Sequence, residues 1–103
     1  MKFPVTFSKL EQIECLQQMI IVCSIVYYDM DDNLISDYEY DKCCKQLVEL
    51  QSECEEAKQS KYWYAFDDFD GTTGFDLFSR LTDKHQELLK FMAVMSYNFN
   101  HVK

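Results

Sequence analysis

Tyr27-Tyr28-Asp29-Met30-Asp31-Asp32-Asn33-Leu34-Ile35-Ser36-Asp37-Tyr38-Glu39-Tyr40-Asp41 is the stretch whose reading decides the fold. Upstream of it, Ser8-Lys9-Leu10-Glu11 has the form of a helix-capping box. The apolar positions Leu10, Ile13, Leu16, Ile20, Cys23 and Tyr27 then recur at spacings of three and four. This predicts a first helix from about residue 9 to 28. Downstream, Ser36-Asp37-Tyr38-Glu39 is a second capping box, and Tyr40, Cys43 or Cys44, Leu47, Leu50 and Cys54 form a stripe continuing to about Lys58. Two amphipathic helices joined by a short acidic turn fold back most simply as an antiparallel hairpin. The turn would bring the tyrosines of the first helix to the carboxylates of the second. Counted along a helix, Asp37 and Asp41 are four apart with Tyr40 between them, so all three can look out from roughly one face.

The rest of the chain extends this hairpin into an all-α domain. Phe3, Pro4, Val5 and Phe7 suggest an ordered extended arm packed across the bundle, because Pro4 keeps it out of the first helix. Residues 61 to 66, Lys-Tyr-Trp-Tyr-Ala-Phe, are β-prone, but no partner strand is patterned elsewhere. They read as an extended crossing segment that buries Trp63 and Phe66 as anchors. Asp67 to Gly74 is a loop. Thr73 is placed to cap a short helix over 74 to 81, and Thr82 a longer one to about Phe99 with Leu88, Leu89, Met92, Met95 and Phe99 as its apolar face. One domain spans 1–103: the hairpin over 9–58, and the crossing segment, Asp/Gly loop and C-terminal helices over 59–103.

Composition narrows the function classes. A chain of 103 residues with 48% hydrophobic residues, two Gly and one Pro suits one small helical globule. Eighteen acidic against ten basic residues give a formal charge of −8, which opposes direct binding to DNA or RNA because phosphate contacts depend on Lys and Arg. Such a surface can instead seek a basic protein surface and speed the encounter electrostatically. Cys15, Cys23, Cys43, Cys44 and Cys54 contain no Cys-x-x-Cys pair, and no signal peptide precedes them. Reduced thiols in the cytoplasm are the expectation. The apolar run from Ile13 to Tyr28 is interrupted by Glu14, Gln17 and Gln18, too soon for a membrane span.

Three motif matches are weighed and set aside. Asp68-Phe69-Asp70-Gly71-Thr72 fits the Asp-x-Asp-Gly-Thr signature of haloacid-dehalogenase-type phosphotransferases, but about thirty residues follow it and no sheet can be built from them. A turn with positive φ at its glycines is expected there. Asp29, Asp31 and Asn33 imitate the first ligands of an EF-hand, yet Leu34 stands where its glycine belongs and Tyr40 where its bidentate Glu belongs. His85 and His101 have no ligand partner at zinc spacing, and surface or capping roles are expected for both.

From about residue 10 to 51 the chain resembles the N-terminal Ia subdomain of bacterial NAD-dependent DNA ligases. The resemblance rests on Tyr27-Tyr28-Asp29-Met30-Asp31, Ile35-Ser36-Asp37-Tyr38-Glu39-Tyr40-Asp41, Leu47 and Leu50, aligned without a gap. It departs at Asn33, where the ligases often have Pro, and at Cys43, where they usually have Leu. The resemblance implies a nicotinamide mononucleotide or NAD site made by Tyr27, Tyr28, Asp37, Tyr40 and Asp41. The physics is compatible: nicotinamide joined to ribose is a pyridinium cation that an aromatic face attracts, and carboxylates accept from ribose hydroxyls. No Lys-x-Asp-Gly motif is present, so nucleotidyl transfer is not expected.

Two functions are therefore expected. The first is a non-catalytic acidic interaction protein, of a kind that resembles ligase-related cargo of phages and mobile elements. It would dock on a basic nucleic-acid-handling enzyme and inhibit it, for example as an anti-CRISPR inhibitor of a Cas nuclease, whose positively charged channel offers a target. Its contact residues would be Asp67, Asp68, Asp70 and Asp76, or Glu49, Glu53 and Glu56 on the second helix. The alternative is a module that binds nicotinamide mononucleotide or NAD through the Tyr and Asp constellation.

Overall fold

The computed structural model describes residues 2–71 and 76–101. Five α-helices occur among them: α1 Lys9–Asp29, α2 Asp37–Glu53, α3 Trp63–Phe66, α4 Leu77–Arg80 and α5 Asp83–His101. A 3-10 turn, Glu55–Gln59, lies between α2 and α3. No strand is present among the described residues, and the fold is all-α.

Both ends of the first helix follow from local chemistry. The Ser8 hydroxyl accepts the Glu11 amide at 3.1 Å, and the Glu11 carboxylate accepts the Ser8 amide at 2.9 Å, closing the capping box. At the other end the amides of Met30 and Asp32 both return to the Val26 carbonyl, and Asp31 turns the chain with φ of 53°. Asp is among the few non-glycine residues that tolerate that conformation. Between these ends α1 is buried well beyond one stripe. Ile13, Leu16, Ile20 and Cys23 point inward as expected, but Ile21, Val22, Ile25 and Val26 are buried too, while Tyr27 remains half exposed. The reason is tertiary: α1 packs against both α2 and α5, and a helix covered on two sides is apolar around most of its circumference.

Helix α2 starts where its cap predicts, with the Ser36 hydroxyl accepting the Glu39 amide at 3.1 Å. Hydrogen bonds to α1 join Ser24 to Tyr40 and Gln17 to Gln51, so positions fall along α1 as they rise along α2. The helix stops at Glu53 rather than near Lys58. Cys54 becomes extended, and the 3-10 turn carries buried Ala57 and Ser60 back against α1. A buried polar relay holds this return. The Gln17 side-chain amide donates to Gln51 Oε1 (3.0 Å) and Ser60 Oγ (2.9 Å), Ser60 donates to the Ala57 carbonyl, and Gln51 donates to the Phe66 carbonyl.

Elsewhere the structure corrects three expectations. Residues 2–7 form a tight turn, with the Phe7 amide on the Pro4 carbonyl and Phe3 stacked on Phe7, rather than an extended arm; Val5 is fully exposed. The aromatic crossing segment is the single helical turn α3, because the i, i+3, i+4 spacing of Tyr62, Ala65 and Phe66 buries all three on one side. Phe66 is the expected anchor, Tyr62 an unexpected one, and Trp63 is only half-buried.

The third correction concerns α5. Thr82 does cap it, accepting the His85 amide at 3.3 Å, and the helix continues to His101. Its inward face is Leu89 and Ala93, with Met92 half-buried, whereas Leu88, Met95 and Phe99 from the expected stripe are exposed together with Phe91 and Val94. The covered side of α5 runs through His85, Leu89, Met92, Ala93, Ser96 and Tyr97 at spacings of three and four, so the larger apolar residues of the expected stripe fall outside it. Thr73 and the start of the helix expected over 74–81 lie outside the described residues. The helix found there is α4, anchored by buried Leu77.

Candidate functional site

The corner where α1 meets α2 holds a cavity of about 310 Å³, at the lower end of the roughly 300–1,000 Å³ common for small-molecule sites. Tyr27, Tyr28, Asp37, Tyr40 and Asp41 all line it, so the five side chains that the resemblance implied as nucleotide contacts meet here. Cys23, Ser24 and Cys44 complete the interior, Asn33, Leu34 and Ile35 come from the turn, and Gly71 closes one edge.

Each wall has a local cause. Tyr27 and Tyr28 lie on the last turn of α1, half exposed, with ring centroids 4.9 Å apart and planes at 84°. This edge-to-face contact holds both rings upright at the mouth. They stand between the main cavity and an open hollow lined by Asp31, Asp32 and Asn33. Asp37 opens α2, where a carboxylate is favoured by the helix dipole. Asp41 is one turn further along and pairs with Lys45 at 3.0 Å on the exposed side of the helix. Part of its charge is therefore already partnered, although a pair this exposed is screened and weak.

The Tyr40 hydroxyl is engaged within the fold. Ser24 spends its hydroxyl proton on the Ile20 carbonyl at 2.8 Å, so the 2.9 Å contact between Ser24 and Tyr40 is a donation from the tyrosine. The Tyr40 hydroxyl is thereby turned inward, and its ring serves as a wall. Burial pushes its pKa well above the ordinary tyrosine range.

The cavity thiols are inert in the same sense. Burial, reinforced by Cys43 and Cys44, pushes Cys23 up to about 12, and burial pushes Cys44 up to about 11. Both are protonated at neutral pH and lack the thiolate that nucleophilic chemistry needs.

The edge formed by Gly71 was not visible in the sequence as part of this site. Gly71 has φ of 86°, and a Cβ there would lie 3.2 Å from Val48 Cγ2 and 3.7 Å from the Cys44 carbonyl oxygen. Only glycine lets the loop cross α2 this closely. The Asp-Gly segment set aside as a phosphotransferase signature thus closes the cavity. The one hint in the sequence was that Gly71 is one of only two glycines in the chain.

The proposed acidic contact residues separate into two groups. Asp67, Asp68, Asp70 and Asp76 are exposed, but Arg80 reaches two of them, bonding Asp68 through both guanidinium nitrogens and Asp76 at 3.0 Å. Its hydrogen bond holds the Asp68 carboxyl below the usual range. Arg80 also donates to the Ala65 carbonyl at 3.3 Å, so the cluster ties α3 to α4. Glu49, Glu53 and Glu56 are exposed along α2 and the 3-10 turn. Among the described residues no group of three or more His, Cys, Asp or Glu side chains is arranged to hold a metal ion.

His85 is half-buried, and its Nδ1 lies 2.6 Å from the Tyr64 hydroxyl, which accepts the Thr82 amide. Burial, with Lys61 and Lys84 nearby, lowers its pKa. It thus buttresses the start of α5. The side chain of His101 lies outside the described residues. Among the described residues no helix is long and apolar enough to cross a membrane.

Comparison of the chain with protein-family models, with curated proteins and with solved structures finds no match.

Proposed function

We propose that this chain is a non-catalytic binding module whose cavity takes a nicotinamide-type aromatic cation carrying ribose, the chemistry of nicotinamide mononucleotide or NAD. The observation that carries this reading is the convergence of Tyr27, Tyr28, Asp37, Tyr40 and Asp41 on one cavity. The resemblance to the ligase Ia subdomain and the electrostatics agree. An aromatic face over a pyridinium is worth about 0.5–2 kcal/mol depending on its desolvation, and each charge-assisted hydrogen bond to a carboxylate about 1.5–3 kcal/mol. Against this stands the loss of rigid-body freedom, and a half-open cavity covers one side of the ligand only. Affinity in the range of roughly 10 μM to 1 mM follows.

Isothermal calorimetry with nicotinamide mononucleotide tests the reading. Heat that disappears in Tyr27→Ala and in Asp41→Ala supports it, and the absence of both heat and thermal shift at millimolar ligand removes it.

A second reading rests on a different surface. Glu49, Glu53 and Glu56 stand exposed on a chain of charge −8, and this face suits docking onto the basic surface of a nucleic-acid-handling enzyme. In that reading the protein is an inhibitor carried by a phage or mobile element and acts against a defence nuclease of the Cas type. The Asp67–Asp76 loop contributes less, because Arg80 engages Asp68 and Asp76. Capture from a host lysate, repeated with Glu49, Glu53 and Glu56 changed to Gln, tests this surface. A nuclease retained by the native protein and lost with the triple variant supports it.

A further inference from the structure

From the charges around the cavity we infer that its preferred ligand is a phosphate-free aromatic cation, a pyridinium nucleoside rather than a nucleotide. This inference rests on the cavity reading above and narrows it.

The charged side chains lining the cavity, among the described residues, are Asp37 and Asp41; no Lys, Arg or His lines it. The bases nearest in sequence are turned to other work. Lys45 meets Asp41 from the exposed side of α2, and the Lys42 ammonium lies over the Tyr38 ring, 5.4 Å from its centroid. The segment that closes the cavity at Gly71 brings no base to the lining, although Arg80 offsets two of its carboxylates, Asp68 and Asp76. Residues 67 to 76 carry four Asp and no Lys, Arg or His, so every charged residue in that stretch is negative.

A pyridinium ring laid against the tyrosine wall of the cavity meets this field favourably. A phosphate attached to the same ribose does not, because phosphate recognition draws on Arg, Lys or a free helix N-terminus, and here the first turn of α2 is occupied by the carboxylates of Asp37 and Glu39. Nicotinamide riboside carries one positive charge, whereas nicotinamide mononucleotide and NAD are net negative near pH 7. A dianionic phosphate within a Debye length of two carboxylates weakens binding by about tenfold at physiological ionic strength.

Calorimetry on the intact protein distinguishes the cases, using nicotinamide riboside, its uncharged dihydro form, nicotinamide mononucleotide and NAD at 50 and 300 mM NaCl. The expected result is riboside binding about tenfold tighter than the mononucleotide. That preference should shrink at high salt and be lost in Asp37→Asn/Asp41→Asn, and the dihydro riboside should bind more weakly than the cation. Mononucleotide binding as tight as the riboside overturns this inference and leaves the cavity reading standing. Failure of every ligand overturns both. Thermal melting of the double variant establishes that it is folded, and the comparison of the four ligands on the native protein does not depend on that variant.

Discussion

Tyr40 on α2 donates a 2.9 Å hydrogen bond to Ser24 on α1, and Ser24 passes its own proton to the Ile20 carbonyl. This pair holds the two helices together at the back of the cavity, and it decides that Tyr40 acts through its ring. Tyr40→Phe should lower stability by about 0.5–1.5 kcal/mol, seen as a melting temperature lower by roughly 4–8 °C per kcal/mol for a chain of this size. Ligand affinity should change less than about threefold. A loss beyond tenfold would mean that the hydroxyl turns to meet the ligand.

Gly71 offers a test of the loop's role. With φ of 86° and Val48 Cγ2 only 3.2 Å from where a Cβ would stand, Gly71→Ala should cost about 1–2 kcal/mol from backbone strain alone. Because Gly71 borders the cavity, ligand binding should weaken as well. A variant that melts lower but binds unchanged would show that the loop supports α2 without shaping the site.

The buried thiols predict the response to alkali. Cys23 and Cys44 have folded-state pKa values raised from 9.0 to about 12 and about 11. A group raised in the folded state contributes stability that is complete below its unfolded pKa and is lost as pH rises toward the folded value. Urea midpoints under reducing conditions should therefore be level up to about pH 9 and fall between 9 and 12. Replacing both with Ala should make the curve shallower between pH 9 and 10, before the raised tyrosines Tyr40, Tyr62 and Tyr97 add their own slope. An identical slope in the double variant would rule out Cys23 and Cys44 as its source and leave it to Cys15 and Cys43, which burial also raises.

Tyr62 is 1% exposed, and its hydroxyl has no hydrogen-bond partner among the described residues. An unpaired buried hydroxyl costs about 1–3 kcal/mol of desolvation, while the ring is an anchor of the core. Tyr62→Phe should thus be neutral or raise the melting temperature, and Tyr62→Ala should cost about 3–5 kcal/mol. A clear destabilisation by Tyr62→Phe would reveal a bound water or another partner for the hydroxyl.

How far these features could be read in advance depended on the range of the interaction behind each. The Ser8 and Ser36 caps are made within three residues, and both helices begin where those residues place them. The end of α2 could not be read this way, because it is set by Gln17, forty-three residues before Ser60 in sequence. A helical pattern carries no mark of such a partner. The aromatic run 61–66 misled for a related reason: local β preference gives way when burial of Tyr62, Ala65 and Phe66 on one side rewards a helical turn.

By itself, then, the sequence determined the helical class, the starts of the two longest N-terminal segments and the five side chains worth watching around the α1–α2 corner. The class and the helix starts follow from periodicities and caps that act within a few residues, and the five side chains are those that the resemblance to the ligase Ia subdomain implies. Tertiary structure alone decided that those side chains share one cavity, that Tyr40 turns inward to Ser24, that Gly71 closes the edge and that Arg80 engages part of the acidic loop. Each depends on groups distant in the chain brought within a few ångströms, where hydrogen bonding, close packing and short-range charge take effect.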